Sequence, residues 1–481
     1  MLGFSLSWEL DYANVLTLLE RAGVPLLAAE RGKEHPLVFG GGGVLTGNPE
    51  PYAAFFDCVL LGDGEEMLGA FVAAAAAARD AGAGREDTLR LLSKVPGVYV
   101  PSLYSVDYES PTGVVTAVTP RFADVPPSVA KQTYRGATLA ASTVVSPRMA
   151  WENIYMVELV RSCPEMCRFC TASYLTLPFR PAPLEGGLLD AMERGLAKTR
   201  RLGLLGASVT QHPQFEAVLA HLMQPQYADV RLSIASVRAA TVTPALTQAL
   251  AARGTESLTI AVESGSARLR RVVNKKLSNG EILAAVTAAQ EGGLKALKLY
   301  AMVGVPGETD ADVDATVAML RTLRAAAPRL RLTLGCSTFV PKPHTPFQWW
   351  GLDPAAEGRL AKLDKAARAS GVAFRPESYK WSVVQALLSR GDRRLTPLLL
   401  AARSFGDSLG SYRRAFKAMA GTLPPLEHYA LRTAPPEARG AETLPWAHLR
   451  GPLPEATLAV HAAEAQAHMA EPPSALFELD Q

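Results

Sequence analysis

The chain has 481 residues, 48% hydrophobic and 20% charged, a balance that fits folded globular domains and excludes a disordered chain. Forty-nine Lys and Arg against forty-six Asp and Glu leave a formal charge of +3, too even to make nucleic acid the expected partner. No apolar run approaches the roughly 18–20 residues that span a bilayer, and Met1-Leu2-Gly3-Phe4-Ser5 is not the basic-then-apolar start of a signal peptide. The expectation is a soluble protein of the cytoplasm or of an organellar stroma or matrix, long enough for two or three domains.

The first stretch predicts an α/β domain over 1–125. Strands are expected at 2–7, 37–40 and 57–62, helices at 9–22 and 65–78, and a further strand pair at 98–101 and 113–119. The run Gly40 to Gly43 ends the second strand, and the Pro-rich 121–133 predicts a linker. From 150 to 350 the pattern becomes regular. Apolar strands at 155–160, 204–209, 230–235, 257–262, 296–303 and 331–338 alternate with helices at 184–201, 215–223, 244–252, 280–290 and 310–326. Thr243 and Pro244 have the chemistry of an N-cap and a first helical residue. Six strands and five helices imply right-handed βαβ units and an open, partial (β/α)6 barrel, short of the eight units that close one. Residues 351–425 predict a helical extension, with helices at 355–370, 379–389, 396–405 and 412–418. The Pro- and Ala-rich 426–481 predicts a weakly ordered tail apart from a helix at 455–469.

The five cysteines are Cys58, Cys163, Cys167, Cys170 and Cys336, and three of them fall within eight residues. An odd, sparse count argues for a reducing compartment rather than a disulfide scaffold. Cys163-Pro-Glu-Met-Cys167-Arg-Phe-Cys170 is a C-x3-C-x2-C loop just past the first barrel strand. Three thiolates can hold three irons of a [4Fe–4S] cluster and leave the fourth open. A buried stripe on a helix would use the same spacing, but Pro164 breaks a helix starting at Cys163. A structural zinc needs a fourth ligand, which only distant Cys336 or a histidine supplies. The other strand ends are polar or glycine-rich: Thr210-Gln211-His212, Ser236-Val237-Arg238, Glu263-Ser264-Gly265-Ser266, Gly304-Val305-Pro306-Gly307-Glu308 and 337–344. Strand C-terminal ends are where barrels place their chemistry.

The cysteine loop, with Phe169 before its last cysteine, resembles the radical S-adenosylmethionine (SAM) superfamily. The resemblance implies a [4Fe–4S] cluster on Cys163, Cys167 and Cys170 whose open iron is chelated by SAM. One electron then splits SAM into methionine and a 5′-deoxyadenosyl radical that abstracts a substrate hydrogen. It further implies cofactor contacts by Ser236 and Arg238 to the SAM carboxylate, by Glu263 with Ser264 to its amino group or ribose, and by the Gly304 turn near the adenine. Each has a plainer alternative: an ion pair for Arg238, a paired carboxylate for Glu263, a tight turn for Gly304. His212 reads as a satisfied loop histidine or a catalyst, and Lys342 and His344 as exposed substrate contacts on a proline-rigid loop. Cys336 reads as core. No residue is assigned a catalytic role, and the expected partners are an unidentified substrate and a flavodoxin- or ferredoxin-like reductant.

The phrases at 261–266, 299–309, 338–349 and 389–394, with Val38-Phe-Gly-Gly-Gly-Gly43, Asn48-Pro-Glu50 and Leu61-Gly-Asp-Gly-Glu-Glu66, are similar to the uncharacterised radical SAM branch that carries an N-terminal cobalamin-binding-like domain. Such domains carry Asp-x-His-x-x-Gly after their first strand. This sequence lacks it, His35 has the wrong context, and the domain reads as truncated. The alternative function is therefore a cobalamin-dependent radical SAM methyltransferase, with Gly40–Gly43 as the place for a cofactor tail or simply a tight strand exit; the expectation is no tight cobalamin binding. A methylthiotransferase needs three further cysteines, which leaves it and a non-catalytic metal-site scaffold as remaining alternatives.

Overall fold

The computed structural model describes residues 1–438, 440 and 442–478. Its first sheet has the order β1 (Leu2–Ser5), β2 (Val38–Gly41), β3 (Cys58–Leu60), β4 (Val98–Tyr99), parallel except for β4. Helices Tyr12–Arg21 and Gly64–Asp80 cover it, burying Leu16, Leu19 and Phe71 against Val38 and Val59. A hairpin of β5 (Tyr104–Tyr108) and β6 (Val115–Pro120) follows; β5 is an addition to the expected elements.

The barrel sheet comes next: β8 (Tyr155–Arg161), β10 (Arg201–Gly206), β11 (Arg231–Ile234), β12 (Ser257–Glu263), β13 (Ala296–Val303) and β14 (Arg331–Thr338) are the six parallel strands, in sequence order. A single parallel bridge, Val237 to Ile260, joins β11 to β12. Two short strands flank the set, β9 (Arg180–Pro181) antiparallel to β8 and β15 (Ala373–Pro376) parallel to β14. Among the described residues β8 and β14 do not pair, so the sheet is an open (β/α)6 arc. Helices Leu189–Leu196, Phe215–Leu222, Pro244–Ala252, Asn279–Glu291 and Asp310–Ala326 fill the crossovers. Their starts carry the expected chemistry. Thr243 accepts from the Leu246 amide at 3.1 Å, and Ser278 with Glu281 forms a reciprocal cap, each worth about 1 kcal/mol.

Three expectations need correction. The second barrel strand lies at 201–206, not 204–209, and the helix before it stops at Leu196. Arg200 and Arg201 look like a helix C-terminus, but the strand starts there and ends at Gly206. That glycine has φ +150, and any Cβ would meet Val160 at 2.6 Å. The predicted linker contains β7 (Val129–Ala130), which pairs in parallel with β16 (Leu449–Arg450). The predicted weakly ordered tail is built into the fold: Trp446 and Leu449 are buried, and helix Glu455–Met469 buries Leu458, Ala462 and Ala465. Alanine-rich sequence hid this, because small side chains suit close helix packing as well as they suit a polar tail. Residues 439, 441 and 479–481 of that tail lie outside the described residues.

Two of the sequence phrases meet across the domains. The Asn48 amide donates to the carbonyls of Ser389 (3.1 Å) and Gly391 (2.9 Å). Glu50, 1% exposed, accepts from Arg393 at 2.7 Å and from the Tyr99 hydroxyl at 2.5 Å. Burial opposes its charge most strongly, but Arg393, His448 and the Tyr99 hydroxyl together outweigh it and hold the carboxyl below its usual range. His448 lies 3.7 Å from Glu50, and burial pushes it down to about 4.

Arg393→Ala leaves Glu50 buried without its cation, and should cost about 3–5 kcal/mol in urea unfolding; a loss under 1 kcal/mol would show the pair to be dispensable. Burial also pushes His344 down to about 4. The unfolded chain binds these protons below the ordinary value of 6.5, whereas the native one does not. Stability should therefore fall as pH drops from 6.5 to about 4. Replacing both histidines by Gln should flatten that part of the Tm–pH curve.

Candidate active site

Strand β8 ends at the cysteine loop. Ser162 (φ 70) and Met166 (φ 56) take left-handed conformations that fold it back, and the Ser162 hydroxyl donates to the Ala172 carbonyl at 3.0 Å. Each neighbouring strand end then reaches the loop. The Glu165 carboxylate accepts from Gln211, after β10, at 2.6 Å and from Arg238, after β11, at 2.5 Å. The Asn274 amide, after β12, donates to the Met166 carbonyl at 2.9 Å. Arg168 is 4% exposed; its amide donates to the Val273 carbonyl and its guanidinium to the carbonyls of Arg271 (2.8 Å) and Val272 (3.0 Å). Helix Glu455–Met469 closes the outside. Glu464 accepts from Arg168 at 2.7 Å, His461 bonds Tyr174 at 2.9 Å, and Ala465 and Met469 pack with Phe169 and Leu269.

All three loop thiols are free. Burial pushes Cys167 up to about 12 and raises Cys170; Lys275 pulls Cys167 the other way, and Glu263 adds to the rise. Lys275 donates to Glu263 at 3.0 Å, and Glu263 is itself strained at φ 63. Among the described residues no three His, Cys, Asp or Glu side chains converge as on a single ion. A four-iron cluster spreads its thiolates wider than one zinc does.

The predicted cofactor residues divide. Glu263 stands beside the thiols, paired with Lys275, which the sequence reasoning missed; the signal was the Asn274-Lys275-Lys276 run directly after the helix that follows β12. Arg238 makes the ion pair that was its plainer alternative, with Glu165. Ser236 borders the same turn, and no hydrogen bond of its side chain is recorded among the described residues. Ser264 is buried and takes the Ser266 amide at 3.1 Å. Gly304 adopts φ +74, and its amide donates to Glu308 at 2.6 Å. Burial pushes the Glu308 carboxyl up to about 8. His212 accepts from the Gln214 amide at Nδ1 and so donates from Nε2 to the Ala182 carbonyl at 2.7 Å, which makes it a satisfied neutral histidine. Lys342 and His344 are not the exposed contacts expected: Lys342 pairs with Glu9 of the first domain, and His344 is 9% exposed. Cys336 is core, as expected.

Residues 157–320 match the radical SAM superfamily, and residues 1–101 match the N-terminal domain of radical SAM proteins. This chain carries radical SAM domains. An uncharacterized protein of Methanocaldococcus jannaschii is 29% identical over 252 residues, 52% of this chain and 55% of that protein. The tRNA-2-methylthio-N(6)-dimethylallyladenosine synthase of Sorangium cellulosum is 29% identical over 204 residues, 37% of this chain and 40% of that protein. The chain thus spans about half the length or less of these curated relatives. Among solved structures, the radical SAM methyltransferase TsrM from Kitasatospora setae, bound to cobalamin and a [4Fe–4S] cluster, is 14% identical with a TM-score of 0.48 and 87% coverage of each chain.

Radical SAM domains imply a [4Fe–4S] cluster and SAM. The residues fit the cluster: three free thiols on one loop and a lysine beside them to offset charge. After anaerobic reconstitution the protein should hold about four irons and four sulfides per chain. Cys163→Ala, Cys167→Ala and Cys170→Ala should each lose them while Cys336→Ala keeps them; one zinc and no iron would contradict the assignment.

Proposed function

We propose that this chain is a radical SAM enzyme, and the cysteine loop set beside the Glu263–Lys275 pair at the C-terminal mouth of the arc is the observation that supports it. A [4Fe–4S] cluster held on this loop would supply one-electron reduction of SAM, the radical-generating chemistry of such domains. The chain's part is to hold and to shield. Cys163, Cys167 and Cys170 would hold the irons, and Glu165 ties their loop to the two neighbouring strand ends through Gln211 and Arg238. Glu263 and Lys275 present opposite charges beside the thiols, the two charges that recognise an amino acid's ammonium and carboxylate. Gly304, held by Glu308, shapes the turn at the end of β13 for the nucleoside end. Helix Glu455–Met469 covers the outer side of the loop and keeps water from Phe169. The reductant is an external one-electron donor of the flavodoxin or ferredoxin class.

Cobalamin is a poorer fit. A Cβ at Gly42 would meet the Leu6 carbonyl at 2.7 Å, and one at Gly62 the Gln132 carbonyl at 2.1 Å. The chain's own backbone fills these two hollows, so Gly42 and Gly62 act as strand exits, while Gly43 alone of the Gly40–Gly43 run faces open space. His35 accepts from the Gly32 amide at 3.0 Å, before β2 rather than at its glycine end. The methyltransferase alternative predicts hydroxocobalamin retained through gel filtration; loss of the colour is the expected result.

With reductant and SAM, the protein should release 5′-deoxyadenosine and methionine without any substrate. Glu263→Ala should weaken SAM binding, by the roughly 1.5–3 kcal/mol of a charge-assisted hydrogen bond, with iron content unchanged. Unaltered SAM affinity in that variant would remove Glu263 from the site.

A further inference from the structure

Each barrel strand buries one face against the helices. On β13 these residues are Leu297, Leu299, Ala301 and Val303, all in the main core. Strand alternation turns Lys298, Tyr300 and Met302 to the concave face. A closed barrel packs that face with bulky side chains. Here it is open: Tyr300 on β13 is 40% exposed and Leu205 on β10 is 38% exposed, although both strands have neighbours on either side. The residues paired with Tyr300 are small, Ala261 on β12 and Gly335 on β14.

Lys298 stands on this face in the N-terminal half of β13. Its Nζ lies 4.6 Å from the Tyr300 ring centroid and 3.3 Å from the Tyr300 hydroxyl. A Cβ at Gly335 would crowd both side chains, at 3.1 Å from Lys298 and 3.2 Å from Tyr300. The acids near this face are already neutralised, Glu158 by Arg161 and Glu263 by Lys275. Lys298 has no carboxylate partner among the described residues. At the N-terminal ends of their strands Arg201 stands directly opposite Arg231 in register, and Arg231 also acts on the Glu256 carboxylate. A lysine without a carboxylate partner on an open face is complementary to an anion.

We propose that Lys298, braced by Tyr300, makes this concave face selective for a substrate carrying an anionic group, phosphate or carboxylate. The proposal rests on the radical SAM reading for its chemistry but not for its charge. The probe is pyridoxal 5′-phosphate on the full chain. Its aldehyde condenses with a lysine amine with loss of water, borohydride reduces the imine to a stable amine, and peptide mass spectrometry locates it. Lys298 should label severalfold faster than Lys365 on the outer helix Ala356–Ala369, and Lys298→Met should lose that label. Protection by inorganic phosphate identifies a phosphoryl substrate; protection by succinate alone identifies a carboxylate. Equal labelling of Lys298 and Lys365, or labelling of Lys298 that neither anion slows, would overturn the proposal. Absence of 5′-deoxyadenosine from the wild-type protein with SAM and reductant would instead sink the radical chemistry and leave the labelling result standing.

Discussion

Three thiols within eight residues must be held in a loop that no regular element can shape, and the molecule is organised around that need. The loop has few backbone bonds of its own, so its form is imposed from outside. The Glu165 carboxylate is the main tie, because two strand ends converge on it through Gln211 and Arg238. Asn274 and the backbone of 271–273 complete the grip through Met166 and Arg168. A buried arginine such as Arg168 persists only because carbonyls and Glu464 satisfy it. The loop is therefore anchored to the arc of strands behind it.

The two ends of the chain stabilise this arrangement from opposite sides. Asn48 and Glu50 of the first domain insert polar side chains into the turn before helix Leu395–Ser404, and Lys342 of the barrel answers with Glu9. These contacts are buried and directional, so they set orientation more than they add affinity.

Much of this was legible in the amino acids. Strand and helix alternation from 155 to 338 follows from apolar runs between caps such as Thr243-Pro244, and the cysteine spacing carried its own chemistry. What was not legible depended on distant partners. Nothing local to Lys275 says that it meets Glu263, and Arg238 reads the same whether it contacts a ligand or Glu165. Lys342 and His344 looked exposed because prolines surround them, yet the first domain covers both. The strand at 201–206 was misplaced because arginines near a helix end are the commoner pattern. The tail misled for a related reason: alanines report neither exposure nor burial until a partner surface is known.

Helix Glu455–Met469 packs on the cysteine loop through Glu464, His461 and Ala465, while the loop itself lies some three hundred residues earlier. A ribosome makes the loop and the whole barrel before it makes that helix. During synthesis at about 5–20 residues per second, Phe169 and Arg168 stay uncovered for many seconds after their own strands can form. The order of synthesis thus leaves the outer side of the cysteine loop bare until residues 455–469 have been made.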